Sequence, residues 1–282
     1  MKLDTLFLSG GGVNCIAFLG VFKYFFDKGI IQRDLKGIQN IVCVSGSSLY
    51  TLPLMLGYSL DVTIKICLSL DNEDFINYKD FDINNIFNDF GLYDNTFISH
   101  LCSVILNKKG ISKNITMKEF YNITKINWVL KTTNLTKYRI EYINHKTNPD
   151  LPIVDAIRMS SSVPLVFKPI TYKEQLYVDG GLCGNYPIEY NKTLQSKHYL
   201  GVHVKVKDKD EKVNDILSYL GRLQMAPTSP YDSINKKKKR TINIIVDELG
   251  MNIQKSKEEN MNLLARGYIV TEEHFNNLEH AD

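Results

Sequence analysis

The stretch Ile41-Val42-Cys43-Val44-Ser45-Gly46-Ser47-Ser48-Leu49-Tyr50-Thr51 carries the strongest indication of the fold. An apolar, β-branched run enters a turn of small residues, and apolar residues at helical spacing follow it. This shape is typical of a nucleophile elbow, a sharp strand-to-helix turn that exposes a serine hydroxyl beside backbone N–H groups. Ser48 fits the centre of this frame, because Gly46 precedes it by two residues. Tyr50 stands where the elbow usually has a second glycine, so a tight turn of any α/β protein is the alternative.

Composition predicts a globular protein that binds neither nucleic acid nor metal. The 282 residues are 44% hydrophobic and carry a net charge of only +3. The five cysteines are widely spaced and form no Cys-x-x-Cys pair, which argues against a disulfide framework or a zinc site. The six histidines also lack the spacing of metal ligands. We therefore expect no metal and no cofactor.

The amino-terminal segment and the apolar runs indicate a location inside a cell. The first apolar run is short and contains Asp4, unlike a secretory signal peptide. No apolar run reaches the roughly 18 residues that a membrane-spanning helix needs. We expect the protein in the cytoplasm, or in the cytoplasm of a host cell, with peripheral membrane association as a further expectation.

Strand-like and helix-like segments alternate along the chain. Predicted strands cover residues 5–8, a run leading into Ser48, and residues 128–132, 140–143, 175–178, 199–206 and 241–246. Predicted helices cover about residues 17–29, 49–57, 61–70, 97–106, 154–161, 210–223 and 261–269. The alternation predicts an α/β fold with a mostly parallel central sheet covered on both faces. We expect one domain over residues 1–282, in which residues 71–125 form a cap or an insertion.

Three glycine-rich turns each follow an apolar strand, at residues 9–12, 45–48 and 179–181. Because the carboxyl ends of parallel strands meet at one edge of a sheet, the three turns are expected to converge. Ser48 would be the nucleophile, and Asp179 a general base for its proton. The backbone N–H groups of the glycine loop at residues 10–12 could stabilise an oxyanion. A phosphate cradle fits this loop less well, since no Walker lysine follows.

These segments, taken in order, resemble the patatin-like phospholipases. Residues 6–12 are similar to the oxyanion-loop motif of that family, and residues 46–50 lie where its Gly-x-Ser-x-Gly motif stands. Residues 177–181 match its Asp-Gly-Gly motif. Weaker similarity extends over residues 56–59, 91–94 and 156–169.

The resemblance implies a three-layer patatin-like fold and a calcium-independent acyl hydrolase. Its mechanism would use a Ser-Asp dyad without histidine and pass through an acyl-enzyme. Its partner would be a phospholipid or another acyl-ester lipid, met at a peripheral membrane surface. The site residues implied are the dyad Ser48 and Asp179, the oxyanion-hole residues Gly10, Gly11 and Gly12, and the supporting residues Gly46, Gly180 and Gly181.

Two alternatives follow from individual residues. Asn14 and Cys15 stand where the family's loop usually has a cation and a glycine, and Tyr50 departs from the elbow rule. These departures favour, as the second hypothesis, a lipid-binding or interaction protein with weak or no catalysis. A conventional Ser-Asp-His triad would instead recruit His198 or His203, which follow Asp179 in the chain.

Two further segments have both a structural and a lipid-related interpretation. The basic run at residues 236–240 is expected to be a solvated loop, or else a contact with anionic lipid. The polar middle segment contains apolar side chains that would pack a cap or line an acyl-chain groove beside the nucleophile. These side chains are Phe87, Phe90, Leu92, Phe97 and Leu101.

Overall fold

The computed structural model describes residues 2–68, 84–207, 219, 222, 240–247 and 255–280. The strands in this part of the chain are β1 (Thr5–Leu8), β2 (Asn40–Val44), β3 (Gly91–Tyr93), β4 (Asn127–Asn134), β5 (Arg139–Ile143), β6 (Leu165–Phe167), β7 (Ile170–Tyr172), β8 (Gln175–Asp179), β9 (Tyr199–Val206) and β10 (Thr241–Val246). The helices are α1 (Ala17–Asp27), α2 (Ser47–Met55), α3 (Leu60–Leu68), α4 (Asn84–Asp89), α5 (Thr96–Asn107), α6 (Met117–Thr124), α7 (Ile153–Ser161), α8 (Asn191–Leu194) and α9 (Lys257–Glu279). A 3-10 helix over Gly12–Ile16 leads into α1.

The central sheet has the strand order β10-β9-β1-β2-β4-β8-β7, and β5 pairs with β4 off this path. The pairs among β10, β9, β1, β2 and β4 are parallel. The pairs of β4 with β5, β4 with β8, and β7 with β8 are antiparallel. The predicted α/β fold with a mostly parallel central sheet flanked by helices is therefore confirmed. The expectation that all three glycine turns follow parallel strands is wrong for β8.

Strand β4 brings β2 and β8 end to end. It pairs with β2 up to the register Val44–Lys131, and with β8 from the register Asp179–Thr132 onward. Strand β5 overlaps both partners along β4, so it must occupy the opposite edge. Because a strand has only two edges, β2 and β8 share one edge and run toward each other. The residue after Val44 therefore faces Asp179 although β8 is antiparallel.

The side chains of the central strands alternate between two apolar clusters, as a pleated sheet requires. Leu6 and Leu8 of β1 belong to the large core, which also takes the apolar side chains of α1, α2, α5 and α7. Phe7 points to the other face and packs in a smaller cluster with Tyr186 and Ile188. The long helix α9 packs across α1, where Gly20 and Gly267 allow the two backbones to approach.

Most predicted elements agree with the structure, and the boundary at the elbow does not. The strand predicted to run into Ser48 ends at Val44, and α2 begins at Ser47. Ser48 therefore lies inside the first turn of a helix. Helix α6 was missed, although the capping box of Thr116 and Glu119 marks its start. The predicted helix at residues 210–223 and the basic run at 236–240 lie largely outside the described residues.

The predicted cap segment divides into parts with different packing. Helix α5 buries Ile98 and Leu101 in the large core, so this helix belongs to the body of the domain. Phe97 packs against Phe167, with ring centroids 5.6 Å apart. Phe87 and Phe90 are exposed. Among the described helices, none combines the length and apolar character needed to cross a membrane.

Candidate active site

Ser45 occupies the strained position of the elbow. It directly follows β2 and has a φ of 56°, the left-handed region that residues other than glycine rarely adopt. Such a conformation costs about 1–3 kcal/mol and is common at active sites. The N–H of Ser45 donates to Ser160 Oγ at 3.0 Å, which holds the strained backbone from the side of α7. A strained serine between a strand and a helix is the geometry of a nucleophile elbow.

The side chain of Ser45 faces Asp179 across the gap between β2 and β8. The interaction of its side chain with the Asp179 carboxylate lowers the pKa of this acid. Among the described residues, the buried Asp179 Oδ2 has no hydrogen-bond partner. Catalytic hydrogen bonds are often long before substrate binds. The structure therefore brings together a serine hydroxyl and a carboxylate oxygen that is available to accept its proton.

Asp179 is a buried carboxylate with an unusually high pKa. Burial raises its pKa to about 6, against the opposing effects of Ser45, the Gly181 N–H and the charge of Lys131. Its Oδ1 accepts a 2.6 Å hydrogen bond from the Gly181 N–H, which fixes the carboxylate plane. A base whose pKa lies just below neutrality is ionised at pH 7 and still takes up a proton readily.

Ser48 does not meet Asp179. Its side chain is fully buried in α2, and its Oγ donates to the Ser45 carbonyl at 2.7 Å. The Gly-x-Ser-x-Gly frame favoured Ser48 because Gly46 precedes it, whereas the elbow conformation belongs to Ser45, the residue after β2. The sequence therefore located the turn correctly, and the residue with the elbow conformation lies three positions before Ser48.

The glycine loop contacts the elbow, but its three residues are not equivalent. The Gly10 N–H donates to the Asn185 carbonyl at 3.0 Å, and Gly10 O accepts from Asn185 Nδ2 at 3.1 Å. The Gly10 N–H is thus already engaged, whereas an oxyanion donor needs a free N–H. Gly11 and Gly12 form the start of the 3-10 helix, where N–H groups have no acceptor within the helix.

Close packing between the loop and the elbow requires glycine at two positions. A Cβ atom on Gly46 would lie 2.6 Å from Gly12 O, and one on Gly10 would lie 2.2 Å from Asn185 Oδ1 and 3.3 Å from the Ser45 Cβ. Tyr50 is not at this contact. It lies in the core side of α2, and its hydroxyl donates to Val13 O at 3.1 Å. Tyr50 thereby links α2 to the 3-10 helix over Gly12–Ile16.

Gly180 and Gly181 keep the turn after Asp179 close to β4. A Cβ atom on Gly180 would lie 2.3 Å from Lys131 O, so a larger residue would push the turn away. Gly181 supplies the N–H that binds the Asp179 carboxylate. The supporting role predicted for both glycines is consistent with these contacts.

Ser160 lies in the segment over residues 156–169 that resembles the family, and the sequence indicated no role for it. Its Oγ accepts from the Ser45 N–H and donates to the Lys131 carbonyl at 2.7 Å. One hydroxyl thus connects the elbow to β4. The pairing depends on the packing of α7 against the sheet, which local sequence does not reveal.

Replacing Ser160 by alanine is expected to lower kcat about tenfold with little change in KM. The substitution leaves the buried Ser45 N–H without its acceptor, a loss of about 1–2 kcal/mol that relaxes the strained elbow. Ser161→Ala is the matched control, since Ser161 Oγ is buried without a hydrogen-bond partner among the described residues. Steady-state kinetics on an ester substrate check this. Equal losses in both variants would contradict a specific role of Ser160.

Neither candidate histidine is placed to complete a triad. His198 is exposed and directly precedes β9, so it lies at the amino ends of the strands, away from Ser45. His203 stacks on Tyr186 at 4.5 Å between ring centroids, on the sheet face of the smaller apolar cluster. Burial lowers the pKa of His203 to about 3. Within the described ranges, no group of three or more His, Cys, Asp or Glu residues could hold a metal ion.

The family follows from a comparison with known proteins. The family model described as patatin-like phospholipase matches residues 6–191, a segment that includes the elbow, the glycine loop and Asp179. The chain belongs to the patatin-like phospholipase family. As a member of this family, it combines the expected Asp-Gly-Gly turn with an elbow whose serine immediately follows β2.

Two viral proteins are similar to this patatin-like chain. "Uncharacterized protein R571" of Acanthamoeba polyphaga mimivirus is 34% identical over 187 residues, which cover 66% of this chain and 61% of that protein. "Probable lipid hydrolase 463L" of Invertebrate iridescent virus 6 is 28% identical over 185 residues, or 66% of this chain and 62% of that protein. The match therefore spans about three fifths of the length of each relative.

Solved structures of bacterial proteins share the fold. VipD from Legionella pneumophila superposes with a TM-score of 0.60 at 17% identity, covering 98% of this chain and 67% of that one. ExoU in its heterodimeric complex with SpcU from Pseudomonas aeruginosa gives a TM-score of 0.55 at 15% identity, covering 98% and 52%. At these identities the likeness concerns the fold of the patatin-like chain.

Proposed function

We propose that this chain is a lipid acyl hydrolase with Ser45 as nucleophile and Asp179 as general base. The observation that carries the proposal is the end-to-end meeting of β2 and β8, which directs a strained serine at a buried carboxylate. Membership of the patatin-like family and similarity to a protein named as a lipid hydrolase support an acyl-ester lipid as substrate. We expect a phospholipid, reached at a peripheral membrane surface from the cytoplasm.

The acylation step follows from the positions of the two side chains. Asp179 Oδ2 takes the proton of Ser45 as the serine Oγ attacks the ester carbonyl carbon. The negative charge moves to the carbonyl oxygen, where the N–H groups of Gly11 and Gly12 are candidate donors. The Gly46 N–H, next in the chain to the nucleophile, is a third candidate. Collapse of the intermediate expels the alcohol, which takes the proton from Asp179.

Deacylation uses the same two residues, with water as the nucleophile and Ser45 as the leaving group. A water molecule gives its proton to Asp179 as its oxygen attacks the acyl carbon on Ser45. The second tetrahedral intermediate breaks its bond to Ser45 Oγ, the proton returns to the serine, and the fatty acid leaves. A carboxylate alone serves as base in both steps, so no histidine is required.

The rate should fall on the acid side of a pKa near that of Asp179. Because only the carboxylate form accepts the serine proton, kcat/KM should decline about tenfold per pH unit below pH about 6 and be constant above it. The pH dependence of kcat/KM for a soluble short-chain p-nitrophenyl ester, measured from pH 4 to 9, checks this. A profile flat through pH 6 would exclude Asp179 as the base.

Active-site labelling tests the function directly. A fluorophosphonate probe should form a covalent adduct on Ser45 in the wild-type protein, located by peptide mass spectrometry, and should label Ser48→Ala as well. Ser45→Ala should not be labelled. Absence of labelling in the wild type, together with sedimentation on phosphatidylcholine vesicles, would favour the lipid-binding protein without catalysis over the enzyme.

A further inference from the structure

Asn185 contacts both polar backbone groups of Gly10. Its carbonyl oxygen accepts from the Gly10 N–H at 3.0 Å, and its side-chain Nδ2 donates to the Gly10 carbonyl at 3.1 Å. Two such contacts fix the orientation of Gly10 as well as its position, because a residue held by one hydrogen bond can still rotate about it. Asn185 itself is half-buried and belongs to the segment that follows the turn of Asp179.

The side chain of Asn185 and the candidate nucleophile flank the same side of Gly10. Asn185 Oδ1 and the Ser45 Cβ both lie within 3.3 Å of the point that a Cβ atom on Gly10 would occupy. The orientation of the amide follows from its chemistry, since only the Nδ2 group can donate to the Gly10 carbonyl. Asn185 is therefore a neighbour of the elbow as well as of the glycine loop.

A second anchor of Gly10 comes from β9. The Ser9 Oγ donates to the Gly10 carbonyl at 2.8 Å and accepts from the Val204 N–H at 2.9 Å. Because a carbonyl oxygen has two lone pairs, Ser9 and Asn185 together saturate the Gly10 oxygen. Gly10 is thus held both by β9 and by the segment after Asp179.

The two residues after Gly10 are the candidate oxyanion donors. Gly12 has a φ of 54°, in the region where glycine is favoured. Glycine restricts its own backbone less than any other residue, so two successive glycines do not fix the direction of their N–H groups. That direction depends on how Gly10, the residue before them, is held.

We propose that Asn185 is a positioning residue of the active site, which clamps Gly10 and thereby aims the N–H groups of Gly11 and Gly12 at the oxyanion. The inference rests on the proposed function for its effect on ester hydrolysis. The clamp itself concerns the backbone of residues 9–12 and can be measured without any substrate.

Asn185→Ala should lower kcat by about 10- to 100-fold and leave KM within about twofold of the wild type. The variant removes the Nδ2 donor but retains the backbone carbonyl, so Gly10 keeps one hydrogen bond to residue 185 and gains freedom to rotate. A displacement of about 1 Å in an oxyanion donor is enough for a loss of this size. The loss appears in kcat because these donors act on the charge of the transition state. Steady-state kinetics on a soluble short-chain p-nitrophenyl ester measure both constants.

Asn185→Asp separates the hydrogen bond from the filling of space. Aspartate has nearly the same shape, but its carboxylate has no N–H to donate to the Gly10 carbonyl. This variant should therefore lose at least as much kcat as Asn185→Ala. If Asn185 only fills space, Asn185→Asp would keep the wild-type rate, and that result would overturn the inference. Should Asn185→Ala not fold, Asn185→Asp decides by the same measurements.

Asn191→Ala is the matched control. Like Asn185, Asn191 is half-buried and bonds one residue twice, since its Nδ2 donates to Ser196 O and its Oδ1 accepts from the Ser196 N–H, each at 3.1 Å. Ser196 bonds the side chain of Asp4 just before β1, at the end of this strand away from Gly10. Asn191→Ala should therefore keep kcat within about twofold. An equal fall of kcat in Asn185→Ala and Asn191→Ala would contradict a specific role of Asn185.

Hydrogen exchange, followed by mass spectrometry of peptides that contain residues 9–12, separates this inference from the proposed function. These amides should exchange about tenfold faster in Asn185→Ala than in the wild type, and at the wild-type rate in Asn191→Ala. That result in a protein that hydrolyses no ester would support the clamp and refute the hydrolase. In an active enzyme, unchanged exchange in Asn185→Ala, or faster exchange with an unchanged kcat, would refute the role of Asn185 and leave the hydrolase assignment intact.

Discussion

Ser45→Ala is expected to reduce ester hydrolysis by at least about 10⁴-fold, since removal of a serine nucleophile leaves only the catalysis due to binding and the oxyanion hole. The fold should be unaffected, because alanine removes only the hydroxyl group and the backbone N–H of residue 45 keeps its bond to Ser160. The measurement is kcat/KM on a p-nitrophenyl ester and on phosphatidylcholine vesicles, with circular dichroism to verify folding.

Ser48→Ala is the matched control for this loss. Both serines are buried, and both lie at the same turn, but the Ser48 hydroxyl only donates back to the Ser45 carbonyl within α2. Ser48→Ala should therefore retain activity within about tenfold of the wild type. If Ser48→Ala were inactive and Ser45→Ala active, the nucleophile would be the serine that the motif spacing favoured, and the elbow geometry would have been misread.

Asp179→Asn is expected to lower kcat by about 10⁴-fold and to stabilise the protein at neutral pH. Asparagine can still accept the Gly181 N–H but cannot take the serine proton. Burial raises the pKa of Asp179 from 3.8 to about 6, so the folded state disfavours the ionised form. Two pKa units correspond to about 3 kcal/mol, which is the upper limit of the gain in the free energy of unfolding.

The pH dependence of this gain in the free energy of unfolding provides the control. Below pH about 4 the carboxyl is protonated in both the folded and the unfolded state, so wild type and variant should be equally stable. From pH 4 to 6 the wild type should lose stability relative to Asp179→Asn, and the difference should be constant above pH 6. Urea unfolding at pH 4 and pH 8 checks this. If Asp179→Asn were less stable than the wild type at pH 8, the conclusion that burial disfavours the ionised form of Asp179 would be contradicted.

The sequence predicted the elements and the family, because these depend on local patterns. Apolar periodicity located β1, β9, β10 and α7 to within a few residues, and Asp-Gly-Gly identified Asp179. The elbow position of Ser45 was missed for a physical reason. The elbow residue is the one at which β2 stops pairing, and the end of β2 is set by its hydrogen bonds to β1 and β4 rather than by its own residues.

Two other features of the site depend on contacts between distant segments. The engagement of the Gly10 N–H requires Asn185, which lies 175 residues further along the chain. The burial of Lys131 could not be predicted, because a lysine within a strand is ordinarily expected on the solvent side. Its side chain is enclosed by contacts with Gly184 and Glu189, which lie more than 50 residues further along the chain.

Because β2 and β8 share one edge of β4, the meeting of Ser45 and Asp179 depends on the number of residues in β8. Successive side chains of a strand alternate between faces, so insertion of a single residue within β8 would turn Asp179 to the opposite side of the sheet. Insertion of two would restore the face but displace the carboxylate by about 7 Å. The few residues that connect β7 to Asp179 must keep a fixed count for as long as the pair performs chemistry.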